Sequence, residues 1–151
     1  PSRGLGDVYK RQAYSREKAF MKCCEDKKIS GRVVYTDRLA PLSEEFGNNI
    51  LELLKKNSDL DGIFATSDVM AANIIRACKK MGKRVPEDIS IVGFDDTWIS
   101  TLTYPSITTI HQPVQEMCEY AIEAIVKKVK SEKVPSQVVF TVELIDREST
   151  K

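Results

Sequence analysis

The run Ile89-Ser90-Ile91-Val92-Gly93-Phe94 places apolar side chains on both faces of any strand it forms, Ile89 and Ile91 on one and Val92 and Phe94 on the other. A strand of that kind has to be covered by other layers on both sides, which is the situation of a parallel sheet flanked by helices. The neighbouring pattern supplies those layers. Ala19, Phe20, Cys23 and Cys24 make the inner face of a first helix that begins at Ala13, and Ser30-Gly31 ends it before an expected strand from Arg32 to Thr36. Phe46, Ile50, Leu53 and Leu54 share one face of a second helix, with Ser43 placed as its N-cap. A short buried strand follows at Gly62-Ile63-Phe64-Ala65. Met70, Ile74, Cys78 and Met81 then form the inner stripe of a third helix, and Gly82 stands where a left-handed cap is wanted. Strand and helix alternating in this way predict an α/β fold with a doubly wound parallel sheet.

Bulk properties bound the function. A chain of 151 residues, 42% of them hydrophobic, can build one ordinary globular core. Its 23 Lys and Arg nearly balance 22 Asp and Glu, so charge supplies no footprint for nucleic acid within this chain. Cys23, Cys24, Cys78 and Cys118 show no CxxC spacing and read as reduced core residues of a cytosolic protein. No run is long and apolar enough for a membrane span, and no signal-peptide core is visible at the start. Residues 1–12 carry neither a helical stripe nor a strand alternation and read as a leader foreign to the fold, with a flexible native terminus as the alternative.

In doubly wound sheets ligands bind beyond the carboxyl ends of the strands, where the chain leaves the buried layer. Asp95 ends one strand, and Thr66, Ser67 and Asp68 follow the end of another and open a helix. An ionised carboxylate only accepts hydrogen bonds, so it suits a ligand rich in hydroxyl or amine donors, such as a sugar or nucleoside. Asp68 reads equally as the cap of the helix it precedes, and Asp96 as a residue ordering a turn. His111, a lone histidine without Cys, Asp or Glu at ligand spacing, offers no metal site and reads as a hinge or surface residue. There is no GxSxG elbow and no GxxxxGK[ST] loop. No catalytic residue, metal or cofactor is expected, and the chain does not read as an enzyme.

The stretches DGIFATSDVMAANIIRACKKMGK and VPEDISIVGFDDTWISTLTYPSITTIHQPVQEM resemble the lactose- and galactose-repressor (LacI/GalR) family of bacterial transcription regulators. SREKAFMKCCEDKKI is similar to that family's Arg-bearing helix, and VELIDREST to its closing strand and Arg-Glu-Ser ending. The resemblance implies an incomplete lobe of a type I periplasmic-binding-protein-like effector domain spanning residues 13–151, in a regulator that is a homodimer. Operator DNA would be bound by an N-terminal helix-turn-helix domain not represented here. It further implies that Arg16, Ser67 and Asp95 contact a small-molecule effector, a sugar or related polar ligand. The family often has Asn or Gly where Ser67 stands, and the loop 37–43 lacks an aromatic matching its stacking residue. The helix over residues 113–131, with its broad apolar stripe, is expected to pack on a first lobe. A transport protein of the same fold, or a bare α/β enzyme domain using Asp95 as acid or base, are the alternative functions.

Overall fold

The computed structural model describes residues 5–35 and 43–151, with side chains from Tyr14 onward. Ser43 caps the helix α2, Glu44–Lys56, by accepting a hydrogen bond from Phe46 N at 3.1 Å. Phe46, Ile50 and Leu54, one helical turn apart, are its buried face. The chain then forms β1, Gly62–Phe64, and α3, Asp68–Lys80, whose buried stripe includes Ile74 and Cys78. Gly82 follows at φ +72, the left-handed conformation that glycine adopts without a Cβ penalty. Next come β2 (Ser90–Asp95), a short α4 (Ile99–Leu102), β3 (Thr108–His111), α5 (Val114–Val129) and β4 (Glu143–Ile145).

The four strands lie in the order β1-β2-β3-β4. The first three are parallel, and β4 returns antiparallel along β3. Ile89 and Ile91 are fully enclosed with Ile107, Ile74 and the apolar face of α2. On the other face Phe64 stacks on Phe20 of α1 (Leu5–Lys27), with ring centroids 6.3 Å apart. One face of the sheet is therefore enclosed, and the other, where Phe64, Val92 and Phe94 are only half-buried, is partly covered by α1.

Four sequence expectations are corrected. Residues 32–35 form no strand: no sheet neighbour pairs with them among the described residues, and a strand exists only through such pairing. Thr36 and residues 37–42 of the loop before α2 lie outside the described residues. The helix α1 starts at Leu5 rather than Ala13, extending back into the expected leader, because a nucleated helix lengthens at little cost where no proline interrupts it. Cys24 and Cys78 are buried, but Cys23 and Cys118 are exposed. A helix turns about 100° per residue, which points Cys23 away from the face Cys24 occupies. Cys118 is exposed because no residue of α5 is buried; Ile122, Ile125 and Val129 stand 64%, 63% and 80% exposed.

Two aspartates bind the pieces together. Asp68, fully buried, accepts hydrogen bonds from Thr97 N at 2.6 Å, Thr97 Oγ1 at 3.0 Å and Thr109 Oγ1 at 2.5 Å. It thereby ties the start of α3 to the turn after β2 and to β3. Asp96 accepts from Arg147 Nη2 at 2.7 Å, and its other oxygen meets His111 Nδ1 at 2.9 Å. Arg147 also donates to Ser100 Oγ and to Ile107 O, fastening the last residues of the chain beneath α4. Burial opposes ionisation of Asp96, yet Arg147 and His111 hold its carboxyl below the usual range.

A folded pKa below the unfolded one gives stability that is complete above about pH 4 and is lost as pH falls through the folded value. Arg147→Met is expected to lose about 3 kcal/mol at neutral pH by stranding the Asp96 carboxylate. That deficit should shrink below about pH 4 as Asp96 is protonated, which urea unfolding at the two pH values reads directly. A pair of glycines separates packing from backbone effects. A Cβ at Gly93 would run into Asp68 Oδ1 and come within 3.0 Å of Ile107, whereas one at Gly47 in α2 meets nothing. Gly93→Ala should destabilise by about 1–3 kcal/mol, and Gly47→Ala should stabilise by about 0.5–1 kcal/mol, as midpoint shifts in urea.

Candidate functional site

β1 and β2 run parallel, so their carboxyl ends open on the same edge of the sheet, and the polar residues gather there. Ser67 is the N-cap of α3: its Oγ accepts from Met70 N at 3.2 Å, and its hydroxyl hydrogen is left available to another acceptor. Arg16 arrives from α1. Its Nη1 donates to Thr66 O at 2.9 Å, and its guanidinium carbon lies 3.7 Å from the centroid of the Phe94 ring. Phe94 meets Phe64 edge-on and Phe64 stacks on Phe20, so an aromatic row supports the guanidinium from below.

Asp95, the last residue of β2, has φ +103, and Asp96 follows at φ +52. Two consecutive positive φ values in residues with side chains are strained, and the first lies well beyond the left-handed well that aspartate tolerates. The consequence is a sharp reversal in which the two carboxylates part company. Asp96 turns back to Arg147 and His111, and Asp95 accepts from Gln112 Nε2 at 2.6 Å. Gln112 belongs to the segment that leads from β3 to α5. Burial raises the Asp95 carboxyl above its ordinary range, while the Arg16 charge and the Gln112 hydrogen bond pull it down and Asp68 pushes it up. Arg16 is thus close enough for its field to be felt at Asp95.

Arg16, Ser67 and Asp95 therefore stand around one edge of the sheet. Asp68 does not join them: it faces inward, enclosed, and neither caps α3, which Ser67 does, nor reaches solvent. Asp96 does more than order a turn, since it pairs with an arginine from the far end of the chain. Two depressions flank the site. One of about 340 Å³ includes Arg16, Phe20 and Thr66 in its wall; the other, of about 590 Å³, is bordered by Asp95, Asp96, His111, Gln112 and the start of α5. Among the described residues no three His, Cys, Asp or Glu side chains gather as metal ligands, and no helix is long and apolar enough to cross a membrane.

Sequence reasoning missed Gln112, Phe94 as the support of Arg16, and the part of Arg147 in orienting Asp96. The first two had no local signal, because a glutamine in a connecting segment and an apolar strand residue are common. An arginine close to the chain end among acidic and hydroxylic residues was a visible hint.

Comparison with known proteins places these features in a family. Residues 5–150 match the sequence profile of the periplasmic binding protein-like domain. The chain is 31% identical over 140 residues to the ribose operon repressor of Halalkalibacterium halodurans, covering 92% of this chain and 41% of that protein. Its fold is similar to the crystal structure of a periplasmic binding protein/LacI transcriptional regulator from Alkaliphilus metalliredigens complexed with D-xylulofuranose. That likeness has TM-score 0.75 and 32% identity, over 90% of this chain and 51% of the other. It is similar as well to the lac repressor dimer bound to operator, with TM-score 0.66 and 28% identity over 72% of this chain and 38% of the repressor. The chain thus spans about half or less of the length of these relatives. It belongs to the periplasmic binding protein-like domain family, in the form that LacI-type transcriptional regulators carry.

Proposed function

We propose that this chain is the second-lobe portion of the effector-binding domain of a cytoplasmic transcriptional regulator, and that its effector is a sugar or a similarly hydroxylated small molecule. The observation that carries the reading is the divided edge of the sheet: a planar cation on an aromatic support, a strained strand-end carboxylate and a cap hydroxyl around one opening. Arg16 offers a fork that holds two oxygens, Asp95 accepts from hydroxyl groups, and Ser67 does either. Phe94, directly before Asp95, carries the Arg16 guanidinium on its ring face and so fixes the fork beside the carboxylate.

The likeness to an operon repressor, and to a regulator complexed with a pentulose, supports both the class of ligand and the regulatory role. Operator contact falls to a DNA-binding domain outside these residues, and the active form is a homodimer, as the lac repressor in the operator complex is. The exposed stripe of α5 is the face on which a first lobe packs, so that ligand shifts the balance between lobe arrangements and, through them, DNA affinity. Asp68 belongs to the frame of the site and not to its ligand contacts.

Titration of the full-length parent with pentoses, hexoses and disaccharides by calorimetry tests the reading. For the sugar that binds, Asp95→Ala should weaken affinity by about 1.5–3 kcal/mol, roughly 10- to 150-fold, with little change in folding. Arg16→Lys should lose most of the affinity although the charge is kept, because an ammonium cannot reproduce the planar fork. Wild-type affinity in both variants would remove these residues from the site.

The direction of the Asp95 shift sets the pH dependence. The ionised carboxylate is the acceptor, so affinity is full above the raised pKa and declines as pH falls through it, starting above the value of about 3.9 for a free aspartate. For stability the same shift has the opposite sign, since protonating Asp95 favours the folded chain. Affinity should therefore fade at a pH where circular dichroism still reports a folded protein. Affinity that holds until the fold itself is lost would contradict the assignment.

A further inference from the structure

The contacts that hold the two strand-end aspartates are crossed. β2 and β3 pair in parallel with Asp95 level with His111, yet His111 Nδ1 meets Asp96, and Asp95 accepts from the next residue, Gln112. The crossing follows from the reversal at Asp95, φ +103, which turns the chain before Asp96 can continue the strand. Gln112 is itself fixed. Its carbonyl accepts from Val114 N at 2.8 Å around Pro113, at φ −76 and ψ 66, an inverse γ-turn whose central φ the proline ring holds. The side-chain amide therefore meets Asp95 from a backbone with little freedom of its own, directly before α5 begins.

A neutral amide is the donor this position calls for. A carboxylate carried on a residue at φ +103 sweeps with any relaxation of the strained backbone unless something holds it. A lysine or arginine at position 112 would hold it as an ion pair and so neutralise the charge that ligand hydroxyls are to meet. The Gln112 N–H, 2.6 Å from Oδ1, steadies one oxygen and leaves the carboxylate its full negative charge and its second oxygen. The same hydrogen bond favours the ionised form of Asp95 against burial, which opposes it.

We infer that Gln112 is a positioning residue of the effector site: its amide fixes the Asp95 carboxylate with one oxygen engaged and the other turned to ligand. This role rests on the reading of Asp95 as a ligand acceptor. Gln112 acts through Asp95 and not by a contact of its own with the ligand, so its effect disappears when the Asp95 carboxylate is removed.

Calorimetry of the full-length parent with pentoses, hexoses and disaccharides tests the role in a double-mutant cycle. Gln112→Met, nearly isosteric but without a donor, should weaken affinity for the sugar that binds about tenfold at neutral pH and move its acid limb to higher pH. Gln112→Glu, of the same shape but an acceptor at neutral pH, should lose at least as much, which a role in packing alone would not produce. With Asp95→Ala already in place, Gln112→Met should change affinity by less than about twofold. In the absence of any sugar, the carboxyl 13C resonance of Asp95 should titrate at higher pH in Gln112→Met than in the wild type. Losses that add in the double variant, or an Asp95 titration that Gln112→Met leaves unmoved, would overturn the inference while keeping Asp95 in the site. Wild-type affinity in Asp95→Ala would instead overturn the reading of the site itself, and this inference with it.

Discussion

Asp68 is the carboxylate on which the arrangement of this domain depends. Placed in the first turn of α3, where the helix dipole favours negative charge, it is closed off from water and satisfied by a backbone amide and two hydroxyl groups from the β2–α4 turn and β3. A buried carboxylate with its acceptors filled holds three elements at fixed spacing, because losing any one partner leaves an unsatisfied group in the interior. It also explains Gly93, since the close approach of Asp68 Oδ1 leaves no room there for a Cβ. The turn that carries Asp95 is thus positioned by a residue that is itself closed off from solvent.

The adjacent pair Asp95-Asp96 shows the same division of labour on a smaller scale. Strain at both positions is sustained because Asp96 is anchored by Arg147, His111 and Ser100, while Asp95 is held, among the described residues, by Gln112. One carboxylate has its acceptor capacity committed to the fold, and the other keeps an oxygen for use elsewhere. Their opposite pKa directions follow from this: a paired arginine pulls Asp96 down, whereas desolvation without a full ion pair leaves Asp95 raised.

The molecule is also defined by what it leaves uncovered. The apolar stripe of α5 is a surface of the kind that folded proteins normally cover. Gln112, which holds Asp95, lies in the segment that leads directly into α5. Whatever covers α5 is therefore connected by a few residues to Asp95, the carboxylate proposed to accept ligand.

Much of this was legible in the chain itself. The unalternated strand around Ile91, the Phe46-Ile50-Leu54 stripe, Ser43 as a cap and Gly82 at a left-handed turn are local patterns, and local patterns fix element type because they report backbone propensity and the periodicity of burial. The α/β class, and the strand-end positions of Ser67 and Asp95, were readable for the same reason, whereas Arg16 joined them only through the resemblance to a family. Only tertiary structure decided which carboxylate faces which way. Asp68, Asp95 and Asp96 are chemically identical in sequence, and their roles diverge through partners distant along the chain: Thr109 for Asp68, Gln112 for Asp95, Arg147 for Asp96. Strand status at residues 32–35 was equally undecidable locally, because Val33 and Val34 have the propensity but a strand is made by its neighbour. Propensity belongs to a residue, and pairing and burial belong to the whole fold.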